Sequence, residues 1–258
     1  MSSHERAHDD PSNNVTYQRS LYAYEYARPL IKGKKVADIG CGNAYGTALM
    51  AADAASIVGV DYDQQTLDEN RARYKNLANL SFERATVPPI PFPDNSFDVV
   101  TTFQFIEHIH QRREFMIECL RILKPGGTVI ITTPNIKRSL ARNPYHIHEY
   151  TFAEMQTEAG SVTPQFDLQG LNGNEAVRNY YEENGKFVRM ILRWDILGLH
   201  KILPAKLVAV PYNWITSLMR NKLQEKVKQT TQITTKDWFL QKDNLDECWD
   251  IFLTIRKN

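Results

Sequence analysis

Four short runs rich in small and β-branched residues, at 35–39, 57–61, 97–102 and 128–133, and a more polar fifth at 80–84 punctuate the first half of the chain. Runs of this length bounded by glycine, proline or asparagine predict strands, and the 128–133 run, β-branched throughout, predicts a central one buried on both faces. Between them lie longer stretches with helical character. Residues 17–31 predict a helix with an aromatic surface (Leu21, Tyr22, Tyr24, Tyr26, Leu30), although its periodicity is imperfect. Residues 43–53 are rich in alanine and 64–76 are charged. Residues 112–123 place Phe115, Met116, Cys119, Leu120, Ile122 and Leu123 on an apolar side, and Lys124-Pro125-Gly126-Gly127 predicts the stop. The prolines of 88–93 exclude helix and sheet alike and predict a loop.

Past residue 135 the regular alternation ends. Thr151 with Glu154 three residues later predicts a capped helix start. Residues 163–171 and 250–256 predict two more strands, with about sixty residues between 172 and 235. A structureless loop of that length is improbable in a compact domain. The expected division is a polar, flexible 1–15, a core of 16–171 with 236–258, and a helical insertion at 172–235. In the insertion, Arg189, Arg193 and Lys201 share roughly one face of an otherwise apolar stretch, and basic Lys222, Lys226 and Lys228 end a second helix. Three readings stand: a cap packed on the core, a lid over an acceptor pocket, or a surface at 186–228 that touches a membrane or a lipid-linked substrate.

Composition narrows the class. An apolar share of 42% and a charged share of 24% over 258 residues are those of a globular protein. A net charge of +1 supplies no broad basic field for nucleic acid, which excludes DNA as an expected partner and disfavours RNA. Cys41, Cys119 and Cys248 are scattered and odd in number, so neither a disulfide framework nor a zinc knuckle is expected. The first residues are polar and lack an apolar signal core, which points to the cytoplasm.

The chemistry concentrates at Asp38-Ile39-Gly40-Cys41-Gly42-Asn43-Ala44-Tyr45-Gly46. A strand breaks into a glycine turn where a ligand can approach the backbone, and a helix then aims its N-terminal amides at that ligand. Some twenty residues on, the second strand ends in Asp61, an acid suited to two ribose hydroxyls. A dinucleotide fingerprint needs glycine at position 45, which is tyrosine here.

These residues resemble those of the class I S-adenosylmethionine-dependent methyltransferases, type 11. The resemblance rests on Asp38-Ile39-Gly40-Cys41-Gly42, Asp61, Pro91-Phe92 before Ser96-Phe97-Asp98, Glu107-His108, and Leu123-Lys124-Pro125-Gly126-Gly127 before Thr133-Pro134-Asn135, in family order. Bacterial small-molecule and glycan-associated enzymes are the most similar. The resemblance implies a Rossmann-like seven-stranded sheet with helices on both faces, the last strand antiparallel between its neighbours, and S-adenosyl-L-methionine as cofactor. It further implies that Asp38, Gly40, Cys41 and Gly42 hold the methionine half, that Asp61 binds the ribose, that Tyr62 stacks beside the adenine, and that Thr86 and Val87 stand where an acid usually meets the adenine amino group. Phe103 and Gln104 complete the expected cofactor set, and Tyr17 or Arg19 of the covering helix either meets the methionine carboxylate or packs on the sheet. Ala44 and Thr86 depart from the family pattern and weaken affinity at most by about one hydrogen bond, about 0.5–1.5 kcal/mol.

For the acceptor side, Glu107, His108, His146 and His148 are the expected catalytic residues, with a histidine as general base or substrate hydrogen-bonder. In small-RNA 2′-O-methyltransferases and ubiquinone-pathway O-methyltransferases a Glu-x-x-Glu-His pattern binds a divalent metal. Here Gln104, a poorer ligand, replaces the first acid; Glu107, His108 and His146 or His148 have the chemistry of divalent-metal ligands, and no metal is assigned. Glu107 as a helix cap is the alternative. The expected activity is methyl transfer to a small molecule or sugar, at oxygen before nitrogen or carbon. An RNA 2′-O-methyltransferase and a degenerate cofactor-binding domain are the competing readings. Nothing in the sequence decides the oligomeric state.

Overall fold

The computed structural model describes residues 14–139, 143–192 and 232–258. Most of the expected insertion, and the basic stretch within 186–228 beyond residue 192, lies outside the described residues, as do residues 1–13 of the expected flexible terminus.

Helix α1 (Asn14–Ile31) leads into β1 (Lys35–Ile39), α2 (Tyr45–Ala51), β2 (Ser56–Asp61), α3 (Gln64–Arg73), β3 (Leu80–Arg84) and β4 (Phe97–Phe103). Then follow α4 (Arg112–Ile122), β5 (Leu123–Pro134), α5 (Phe152–Val162), β6 (Phe166–Gly173), α6 (Glu175–Leu192), β7 (Trp238–Gln241) and β8 (Asp250–Arg256). One sheet runs β3-β2-β1-β4-β5-β8-β6-β7. The pairs from β3 to β5 are parallel, and β8 is antiparallel to both β5 and β6. The Rossmann-like α/β fold and the inserted antiparallel strand are as expected. Among the described residues the sheet has eight strands rather than seven, because Trp238–Gln241 adds a strand beside β6. Four residues are too short a run to carry a readable period.

The sequence pattern explains the layers. In β1 and β4 nearly every residue is buried, as strands covered on both faces must be. Helix α4 buries Phe115, Met116, Cys119 and Ile122 against the sheet, and a fully buried phenylalanine stabilises by about 1.5–3 kcal/mol. Helix α5 starts at the expected capping box: Thr151 Oγ1 accepts from the Glu154 amide at 3.2 Å, and Glu154 Oε2 accepts from the Thr151 amide at 2.7 Å. The expected stop at 124–127 lies inside β5, at a register irregularity opposite Phe97–Val99. There Gly126 takes φ +76°, and a side chain on Gly127 would press on the Lys124 carbonyl oxygen at 2.8 Å.

Strand order reverses between β1 and β4. In an open α/β sheet the crevice beyond the carboxyl ends of such strands is where ligands bind.

Candidate functional site

That crevice holds a cavity of about 380 Å³, within the usual range for a small-molecule site. Ile39, Gly40, Val60, Asp61, Tyr62 and the segment 85–87 line it from β1, β2 and β3, and Phe105, His108 and Tyr145 do so from the loops after β4 and β5.

The turn after β1 is built for close approach. Gly40 takes φ +81°, and a Cβ there would sit 2.4 Å from the Phe105 ring. Neither the conformation nor the space admits another residue. Gly46 is equally confined, with the Tyr24 ring 2.2 Å from a notional Cβ. Ala44 holds the left-handed conformation (φ 57°) at the start of α2, a position glycine takes more cheaply.

Asp61 closes the turn. Its Oδ2 accepts from the Gly42 amide at 3.1 Å and its Oδ1 from the Asp63 amide at 3.0 Å. A carboxylate offers about four lone-pair sites. One on each oxygen therefore remains for a ligand, which suits two neighbouring hydroxyls. Tyr62 is exposed at the cavity, with Thr86 and Val87 beside it.

The other expected cofactor residues serve the turn from outside the cavity lining. Asp38 is buried and accepts from the hydroxyls of Thr47 (2.6 Å) and Thr101 (2.8 Å), which ties α2 to β4. Burial pushes its carboxyl up to about 6, against the pull of those two hydrogen bonds. Cys41 is buried, and Phe103 packs edge-on against Tyr24 at 4.8 Å. Gln104 takes φ 52° and donates its amide to the Thr132 carbonyl at 2.9 Å. Of the two helix α1 candidates, Arg19 is bound to Asp250, donating from Nε at 2.6 Å, and Tyr17 packs on Tyr45 at 5.2 Å between ring centres.

On the acceptor side the structure brings Glu107, His108 and His146 together. Their ligating atoms all lie within 4.8 Å of one another. Glu107 sits in a short 3-10 turn after β4 and is fully buried. Its Oε2 accepts from the Thr133 hydroxyl at 2.9 Å, and its Oε1 has no hydrogen-bond partner among the described residues. Its main-chain carbonyl accepts the amides of Ile147 (2.8 Å) and His148 (3.2 Å), which clips the loop after β5 to the turn after β4. Burial pushes the Glu107 carboxyl up to about 7, opposed first by His146. Glu107 is thus an inward-facing side chain, and capping does not account for it.

His108 Nδ1 lies 3.0 Å from the Tyr145 carbonyl. A carbonyl only accepts, so Nδ1 carries the proton and Nε2 presents a lone pair, 4.0 Å from Glu107 Oε1. Burial, then the neighbouring His146, lower the His108 pKa to about 4, so the ring is neutral. His146 Nδ1 meets Glu149 Oε1 at 2.6 Å. His148 stands apart from the trio, its ring edge-on to Tyr150 at 4.8 Å.

Sequence reasoning missed Phe105, Ile109, Gln111 and Tyr145 as cavity residues. Their only signal was proximity to the Glu107-His108 and His146 segments, since lining a cavity leaves no period in a loop.

Residues 37–131 match the family model described as a methyltransferase domain. A probable S-adenosylmethionine-dependent methyltransferase of Mycolicibacterium smegmatis is 35% identical over 147 residues, covering 55% of this chain and 56% of that protein. A fatty-acid O-methyltransferase of the same organism is 31% identical over 138 residues, covering half of each chain. The chain thus spans about half the length of these curated relatives. Among solved structures, the [4+2]-cyclase SpnF superposes with a TM-score of 0.61 at 18% identity, over 96% of this chain and 85% of that one. At that identity the likeness is one of fold alone.

Proposed function

We infer the function of a chain that carries, over residues 37–131, a class I S-adenosylmethionine-dependent methyltransferase domain: it transfers a methyl group to an oxygen of a small-molecule or glycan acceptor. One observation carries the reading. A single cavity is lined both by the glycine turn with Asp61 and by His108, whose accepting nitrogen is fixed by the Tyr145 carbonyl.

The residues fit the cofactor by their chemistry. Asp61 has one accepting site left on each oxygen for the ribose, Tyr62 offers an exposed ring to the adenine, and Thr86 and Val87 border that ring. Gly40 gives backbone access that any side chain would close. Asp38, Cys41, Gly42, Phe103 and Gln104 hold the turn and the strand ends in place. Bound there, the cofactor supplies a methyl group already activated on a positively charged sulfur.

The protein's task is then to orient an acceptor and exclude water. His108 Nε2 accepts a hydrogen bond from the acceptor hydroxyl and points its oxygen. Glu107 and His146 hold His108 and the loop that carries Tyr145. A relative that methylates fatty-acid oxygen supports oxygen as the target.

The test is formation of S-adenosylhomocysteine from S-adenosylmethionine in the presence of sugars, fatty acids and phenols, followed by chromatography. Acceptor-dependent product, reduced in His108→Ala, is expected. Failure of the folded protein to bind the cofactor contradicts the reading.

A further inference from the structure

We propose that Glu107, His108 and His146 bind one divalent transition-metal ion beside the cofactor cavity. The site follows from side-chain geometry; the role given to the ion rests on the methyltransferase reading above.

Two imidazoles and one carboxylate converge, with ligating atoms within 4.8 Å of one another and the His108–Glu107 pair 4.0 Å apart. On an ion with ligands at about 2.1 Å, neighbouring donors stand about 3.0–3.4 Å apart and opposite ones about 4.2 Å. The trio closes onto an ion by shifts of several tenths of an ångström per side chain.

Glu107 Oε1 is fully buried and unpartnered. An orphaned buried carboxylate oxygen is costly, and a cation satisfies it directly. Each histidine is also oriented as a ligand would be. His108 donates Nδ1–H to the Tyr145 carbonyl, and His146 Nδ1 faces the Glu149 carboxylate. Such outer contacts fix the tautomer and aim the other nitrogen at a metal. His146 Nε2 meets the Asn143 side-chain amide at 2.8 Å, and ligation would exchange that contact for the ion.

The surrounding charge favours a cation. The Glu149 carboxylate faces His146, while Asp250 and the Arg19 guanidinium pair and offset each other. Neutral imidazoles with one carboxylate select the manganese-to-zinc class over calcium or magnesium, which prefer all-oxygen sites. His108 lines the cavity, so with Nε2 on the ion an open coordination position there would take the acceptor oxygen, in place of a direct hydrogen bond to Nε2, and make its hydroxyl more acidic.

The test is calorimetric titration of the chelator-treated full chain with Mn²⁺ and with Zn²⁺, wild type beside Glu107→Gln, His146→Gln and Glu149→Gln. S-adenosylhomocysteine binding is measured on the same samples. We expect one ion per chain, weakened at least about 100-fold by either ligand substitution and about 10–100-fold by Glu149→Gln. S-adenosylhomocysteine affinity is expected to stay within about threefold in all variants. Glu149→Gln leaves the three ligands in place and keeps the test decisive where a ligand variant does not fold. Absence of a saturable site for either ion, or undiminished affinity in the variants, overturns the proposal. Loss of S-adenosylhomocysteine binding by wild type with ion binding intact would instead overturn the functional reading and leave the ion site standing.

Discussion

The two halves of the sheet solve their binding problems by different means. From β3 to β4 the ligand surface is mostly backbone: a left-handed Gly40, a neighbouring turn, and Asp61 locked by two amides. The Gly42 amide and the Asp61 carboxylate stand 19 positions apart in sequence. From β5 to β8, and in the loops after β4 and β5, the contacts are made by side chains drawn from distant segments. Arg19 pairs with Asp250, 231 positions away, and the Asn135 side chain donates to the Cys248 carbonyl, 113 away. Main-chain sites tolerate little but need few residue types. Side-chain sites admit many residue types.

Breaking the acceptor half should have the largest effect. His108→Ala should lower methyl transfer by about 10²–10⁴-fold, the range for a positioned proton-handling group, while S-adenosylhomocysteine affinity stays within a few fold. Parallel turnover and calorimetry would read this, and equal losses in both would erase the distinction between the halves. Next comes the long-range ion pair. Asp250→Ala strands a largely buried Arg19, and stability in urea should fall by about 3–5 kcal/mol.

The half from β3 to β4 answers to pH. The folded state holds the Asp38 proton more tightly, with the pKa near 6 against about 3.9 unfolded. This contribution is fully present below about pH 4 and is lost as pH rises through 6, at most about 3 kcal/mol in all. Asp38→Asn should remove that slope from urea midpoints measured between pH 4 and 7, and an unchanged slope would assign it elsewhere. The smallest effect is expected at Ala44. Ala44→Gly relieves a left-handed alanine, a gain of about 0.5–1 kcal/mol after the entropy cost of glycine, seen as a rise of about 1–3 °C in Tm. Cofactor affinity should not change.

The same contrast explains what could be read from the chain. The glycine turn, Asp61 and the strands from 35 to 133 announce themselves by local spacing, and the capping box at Thr151 by four residues. Asp38 and Phe103 were legible as belonging to the motif, but their side chains point into the packing around it, which spacing does not reveal. The Glu107–His108–His146 trio needs the loop after β5 folded back on the turn after β4 through the Glu107 carbonyl. The convergence of the loops after the fourth and fifth strands made the grouping readable, but not which of His146 and His148 would join it. Edge strand β7 escaped because four residues beyond a long intervening stretch carry too little pattern.

Calorimetric titration with S-adenosylmethionine and S-adenosylhomocysteine, wild type beside Asp61→Ala, tests the central claim most directly. The account predicts saturable one-to-one binding of both ligands by wild type, weakened at least about 100-fold by loss of two charged hydrogen bonds, with the variant still folded. Absence of binding by folded wild type, or undiminished binding by Asp61→Ala, would contradict it.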